Sequence, residues 1–262
     1  MKKYLYIFKY SFINELSYFS KVVFRVISYF LHIFMFYSVW SFIYKNGNSL
    51  INGFSFNQMM WYLIIAELFA MGTSRVARTR PIDDIKSGSI TYIMNKPYSY
   101  IGQIFTSFLA EGLIRLIVMI PISIIMGLLF VGPIETFNIK YLIFMIMSFI
   151  IGYSINGLIQ LGLSLFSFWI EDAEPIHWVY SKIILIFGIM FPIDIFPSSL
   201  QNILKYTPAY VVSYGPTKLI VNFNINEAVN ILIAQCIYLM FVILIINVIY
   251  KKGVKKLNVN GG

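Results

Sequence analysis

Residues 228–250 read AVNILIAQCIYLMFVILIINVIY, without a charged side chain, and Lys251-Lys252 follow at once. A helix needs about 20 apolar residues to cross roughly 30 Å of hydrocarbon. This stretch is long enough, so it reads as a membrane span that ends on basic residues. The rest of the chain has the same character: of 262 residues 59% are apolar and 12% charged, and the mean hydropathy is +0.77. Soluble domains hold about 45–50% apolar and about 25% charged residues. In water a core of this size would leave too much apolar surface exposed, and disordered chains have the opposite bias. The fold class is an all-α polytopic membrane protein.

Working outward from 228–250, the same criterion finds five further runs, at about Val22–Tyr44, Gln58–Arg75, Ile101–Val131, Tyr141–Ile170 and Val179–Phe191. Pro192 cuts the last one short. Six transmembrane helices within a single domain, 1–262, are therefore expected. Loop charges set the orientation. With both termini in the cytoplasm, Lys2, Lys3, Lys9, Lys21, Arg25, Arg75, Arg78, Arg80, Lys86, Lys96, Lys182, Lys251, Lys252, Lys255 and Lys256 fall inside. Lys45, Lys140, Lys205 and Lys218 fall outside, and Arg115 lies in a span. This asymmetry is the positive-inside pattern. It accounts for the net charge of +9 through contact with membrane lipids, without nucleic acid. Lys9 interrupts the first apolar stretch and no A-x-A-like site follows, so no signal peptide is read there. The single cysteine, Cys236, excludes a disulfide framework and reads as a buried thiol.

Three segments between spans carry more pattern. In 2–20, Leu5, Phe8, Phe12, Leu16 and Phe19 form one stripe flanked by lysines, the signature of an interfacial helix. In 75–100, Pro81 suits a first helical position, Asp83 and Asp84 suit a helix N-terminus, Lys86 a C-terminus and Gly88 the residue just past it. A helix that short is marginal unless it docks on something; Ile82 and Ile85 would offer an apolar contact to a partner, with Asp83, Asp84 and Lys86 on exposed turns. In 192–226, Pro192, Pro197, Pro208 and Pro216 exclude one continuous helix in an apolar stretch. Short broken helices re-entering the outer leaflet fit, with Tyr206, Tyr210 and Tyr214 as an interface belt.

Catalytic chemistry is not written into the chain. There is no G-x-x-x-x-G-K-[ST] and no H-E-x-x-H. Gly152-Tyr153-Ser154-Ile155-Asn156-Gly157 resembles a nucleophile elbow only in part, because Asn156 stands where a glycine belongs. His32 and His177 have no neighbouring ligand in sequence, so neither a catalytic nor a metal site is assigned. Ser148, Gly152, Ser154, Gly157 and Gly162 place small residues along the fourth span, which favours close helix packing. Glu67, Glu111 and Arg115 are the ionisable residues in or near spans, where a central charge costs about 2.5–3.5 kcal/mol. Glu111 and Arg115, four apart, can pair. Glu67 lacks a local partner and is the better candidate for a polar pathway.

Taken together, Asp84-Ile85-Lys86-Ser87-Gly88-Ser89-Ile90, Asn95-Lys96-Pro97, Phe191-Pro192-Ile193-Asp194-Ile195-Phe196-Pro197 and Thr207-Pro208-Ala209-Tyr210 resemble the ABC-2 type exporter permeases, closest to a bacterial subfamily of about this length. The resemblance implies a pore of two permease chains, identical or different, in the cell membrane, and separate ATPase subunits that bind ATP and Mg. It implies that Pro81, Ile82, Asp83, Asp84, Ile85, Lys86, Ser87 and Gly88 form a coupling helix seated on the ATPase. No cofactor is expected in this chain itself. A membrane-embedded lipid-modifying enzyme and a non-transporting partner or immunity protein are the competing readings. An enzyme would need a nucleophile–base pair at the interface, and none is visible.

Overall fold

The computed structural model describes residues 2–17, 19–45 and 50–260. These are mostly helical, with no strand among the described residues. In chain order the helices are α1 (Lys2–Leu16), α2 (Phe19–Lys45), α3 (Phe56–Gly72), α4 (Val76–Lys86), α5 (Ile90–Met94), α6 (Tyr100–Phe130), α7 (Leu142–Ser164), α8 (Glu174–Ile184), α9 (Ser198–Leu204), α10 (Gly215–Val221) and α11 (Ile225–Asn260). Among the described residues, four regions are long and apolar enough to cross a membrane: Val22–Lys45 of α2, α6, Ile139–Phe168 around α7, and Ile225–Lys256 of α11. The runs expected at 58–75 and 179–191 form shorter helices, α3 and α8, the latter continued by a π-helical turn at Leu185–Met190.

α3 is the centre of the bundle. It is apolar on every side, and such a helix has to be enclosed: Met59, Met60, Tyr62, Leu63, Ile64 and Ala66 have no exposed surface. A capping box starts it, with Ser55 Oγ accepting from Gln58 N and Gln58 Oε1 accepting from Ser55 N at 3.0 Å. Around it α6 and α7 approach closely because glycines let them. A Cβ on Gly127 would overlap the Trp61 ring, and one on Gly157 the Phe108 ring. The small residues of the fourth span thus serve helix packing.

Two local expectations, at Pro81 and at Tyr214, are corrected, while the apolar stripe of α1 stays on its outer side. α1 packs on α6 through Tyr4, Ser11 and Glu15, while Leu5 and Leu16 of the apolar stripe stay exposed; the side chain of Phe19 lies outside the described residues. The polar row faces inward because it finds polar partners there: Ser11 Oγ bonds Ser107 Oγ at 2.9 Å and Glu15 meets Arg115 at 2.7 Å. α4 begins at Val76, so Pro81 is interior instead of first. Proline removes the N–H that Ala77 O would accept, and that carbonyl faces Ser164 Oγ of α7 at 3.2 Å. Lastly, Tyr214 leaves the expected interface belt: it is buried and donates to Asp194 Oδ2 at 2.8 Å. The end of α4 agrees with its sequence signal, since Gly88 has φ +73° and its N–H bonds Ile85 O at 3.1 Å. The 192–226 segment is broken as its prolines require, into a 3-10 turn at Ile193–Ile195, α9, a π turn at Tyr210–Tyr214 and α10.

Candidate functional site

α4 sits at one end of the bundle against α6 and α7, and its two faces have different neighbours. Pro81, Ile82 and Ile85 are buried in the chain's own core, so Ile82 and Ile85 are not a free apolar contact for a partner. An eleven-residue helix with a buried face is stabilised by its own chain. Asp84 is also turned inward: its Oδ2 accepts from Tyr100 OH at 2.9 Å, and Ser89 Oγ donates to its Oδ1 at 3.2 Å. What remains for solvent is Thr79, Asp83, Lys86, Ser87 and Gly88, continued by Tyr92 of α5.

A second loop, between α7 and α8, clamps α4. Arg78 forms a forked ion pair with Glu174, with Nε donating to Oε2 at 3.0 Å, and Lys86 Nζ meets Asp172 Oδ1 at 3.1 Å. Both carboxyls are held below their ordinary values: Asp172 by the Glu174 backbone N–H and then the Lys86 ammonium, Glu174 by the hydrogen bonds from Arg78. Beside them Glu171, Trp169 and Trp178 are exposed. The sequence reading passed over this loop. Its signal was the cluster Glu171, Asp172 and Glu174 in a chain with 11 acidic residues, placed opposite the arginines of 75–80.

Glu111 and Arg115 are enclosed by intrachain partners at the same end of the bundle. Their mutual contact is long, 3.7 Å. Arg115 instead donates from Nε to Glu15 Oε1 at 2.7 Å and from Nη1 to Thr73 O at 2.8 Å, where α3 ends. A cation at the C-terminus of a helix is favourable. Ser74 Oγ donates to Glu111 Oε2 at 2.5 Å, and Arg25 of α2 adds a second cation 3.5 Å from Glu15. The cluster joins α1, α2, α3 and α6, and this geometry is that of a structural knot.

Glu67 differs. It is 3% exposed on α3, but the lack of a partner expected from sequence is corrected: His32 Nδ1 of α2 lies 2.6 Å from Glu67 Oε1. The His32 side chain is 48% exposed, and exposed Met35, one turn on, and Phe24, two turns back, lie near it on the same side of α2. A polar ring on an apolar face, backed by a buried carboxylate, can present a hydrogen-bonding nitrogen to whatever covers that face. At the other end of the bundle Lys218, placed in an outer loop by sequence, is buried and bonds Asp194 Oδ2 at 2.8 Å. Its ammonium stands 4.5 Å from the centre of the Phe54 ring. Ser154, the centre of the partial elbow, donates to Ile150 O at 2.8 Å within its own helix. Cys236 is exposed, against the buried thiol expected.

No curated protein matches the chain. A protein family described as "ABC-2 family transporter protein" matches residues 20–261, nearly the whole length. The match covers the four long apolar helices, α4 with its clamping loop, and the broken 192–226 segment. A multi-pass helical chain with these features belongs to the ABC-2 transporter family.

Proposed function

We propose that this chain is the permease subunit of an ATP-driven exporter. In this reading α3 and α8 act as the two shorter spans beside the four long ones, both termini are cytoplasmic, and the membrane is the cell membrane. A second permease chain, identical or different, completes the pathway along the exposed face of α2, with the Glu67–His32 pair beside it. ATP and its Mg are bound by a partner ATPase, for which this chain supplies the docking element.

One observation carries the reading. α4 is held on one face by the burial of Pro81, Ile82 and Ile85, with two solvent-facing ion pairs beside it, while Asp83, Ser87 and Gly88 stay exposed. A helix held this way passes a push on its outer face to α3, through the short 73–75 link, and to α6, against which it packs. The docking surface is therefore polar, formed by Asp83, Lys86, Ser87 and Gly88 and flanked by Tyr92 and the 171–178 loop. The double substitution Asp83→Arg with Ser87→Trp changes only exposed positions. It should leave the chain monodisperse in detergent and lower co-purification of the ATPase at least tenfold. Full recovery of the ATPase together with unchanged transport would remove α4 as the docking element.

A further inference from the structure

A cavity of 260 Å³ opens between α1 and α6 and is lined by Tyr6, Tyr10, Ser11, Arg80, Gln103 and Ser107, with Ile7 at its wall. It contains the ingredients of an anion site with a second, neutral contact. The cation is Arg80 of α4. Its only ion-pair partner among the described residues is Asp84 at 3.9 Å, and that carboxylate oxygen already accepts from Tyr100. The guanidinium is thus left with most of its donors free, in the fork geometry that suits a phosphate. The neutral contact is Gln103. This residue is 6% exposed, and its Oε1 is buried without a hydrogen-bond partner. Leaving a buried acceptor unmet is costly, so the pocket is suited to a ligand that donates a hydrogen bond to Gln103.

The surroundings say which phosphate fits. The rim of the cavity is α1, whose outward face exposes Leu5, Tyr6, Tyr10, Ile13 and Leu16. Such a face lies against acyl chains, and its tyrosines suit the headgroup level. A soluble phosphate would have no use for that apolar rim, whereas a lipid covers both parts. We propose that this pocket binds the headgroup of a phosphatidylglycerol-type lipid, its phosphodiester on Arg80 and a headgroup hydroxyl donating to Gln103. Ser11 and Ser107, already bonded to each other, form the floor. Because Arg80 belongs to the docking helix, the lipid ties α4 to the α1–α6 seam. This goes beyond the permease reading and needs only that the chain sits in a membrane.

The test is a native mass spectrometry titration of the full chain in detergent with phosphatidylglycerol, phosphatidylethanolamine and phosphatidylcholine. Phosphatidylglycerol should saturate at one lipid per chain and bind at least tenfold more tightly than phosphatidylcholine. Arg80→Gln should lower that affinity at least tenfold. Gln103→Met should lower it severalfold while leaving the melting temperature unchanged or raised, which a purely structural glutamine would not do. Lys251→Gln, which removes an exposed charge on α11, should bind as wild type. Equal binding by Arg80→Gln, an equal loss in Lys251→Gln, or preference for phosphatidylethanolamine overturns the assignment. Displacement of the lipid by millimolar inorganic phosphate would show a free-phosphate site and overturn the lipid reading. If Arg80→Gln cannot be isolated, Gln103→Met decides: wild-type affinity there is equally fatal.

Discussion

Two charged groups in the apolar helices invite comparison. Around Arg115 every charge is answered by the chain: Glu15, Glu111, the Thr73 carbonyl and Arg25 close a cluster whose side chains are 11–15% exposed. Around Glu67 the carboxylate is enclosed, but its partner His32 is half exposed on an apolar face. A central charge is expensive in hydrocarbon, and a chain can meet that cost by closing the group off or by keeping it at a face that something else covers. The Arg115 cluster does the first, so its role is to hold helices together. The Glu67–His32 pair does the second, and is the one suited to meeting another chain or a cargo.

The largest expected effect separates the two. Arg115→Leu leaves Glu15 and Glu111 in a poorly solvated site and should cost about 3–5 kcal/mol, the usual result of removing one partner from a buried ion pair. Thermal unfolding in detergent reads it, and a midpoint within a degree of wild type would break the comparison. Lys218→Met sharpens it at the opposite end of the bundle. Asp194 keeps the Tyr214 hydroxyl, so a smaller loss of about 1–3 kcal/mol is expected by the same assay. Glu67→Gln should cost about 1 kcal/mol or less, because the amide oxygen can still accept from His32. Its effect should instead appear in transport or in substrate-stimulated ATP hydrolysis by the assembled complex. A stability loss as large as that of Arg115→Leu, with transport unchanged, would make Glu67 a second structural knot.

The smallest effect concerns the clamp on α4, where charges face solvent and ion pairs are worth little. Asp172 and Glu174 have lowered pKa values. Their contribution is therefore present above the ordinary carboxylate range and is lost only as pH falls through the lowered values. Hydrogen exchange of the α4 amides should be the same at pH 7 and pH 5, after correction for intrinsic rates, and faster only below the ordinary value of 4.5 for Glu174. Loosening between pH 7 and pH 5 would mean that another group holds the clamp.

Much of the architecture was legible because it follows from local requirements. The runs near 22–44, 101–131, 141–170 and 228–250 became helices within a few residues of those limits at most ends. α11 ran further, to Asn260, since no breaker follows Tyr250. The stop at Gly88 was legible for the same reason, as a positive φ favours glycine. The start of α4 was not: Pro81 looks like a first residue only if nothing else can satisfy the carbonyl of Ala77, and Ser164, 87 residues on, faces it.

The candidate site divides in the same way. Sequence by itself determined that Glu67, Glu111 and Arg115 would need partners, because the free energy of a charge in hydrocarbon depends on the group and its depth. Only the tertiary structure decided who the partners are. Arg115 prefers Glu15, 100 residues away, over Glu111 one turn below it. Glu67 finds His32 across 35 residues. Helical spacing lets a reader list which side chains share a face. Which face of α1 or α2 turns toward which neighbour is set by helix packing: glycine contacts such as Gly157 on Phe108 bring elements together that no local pattern relates.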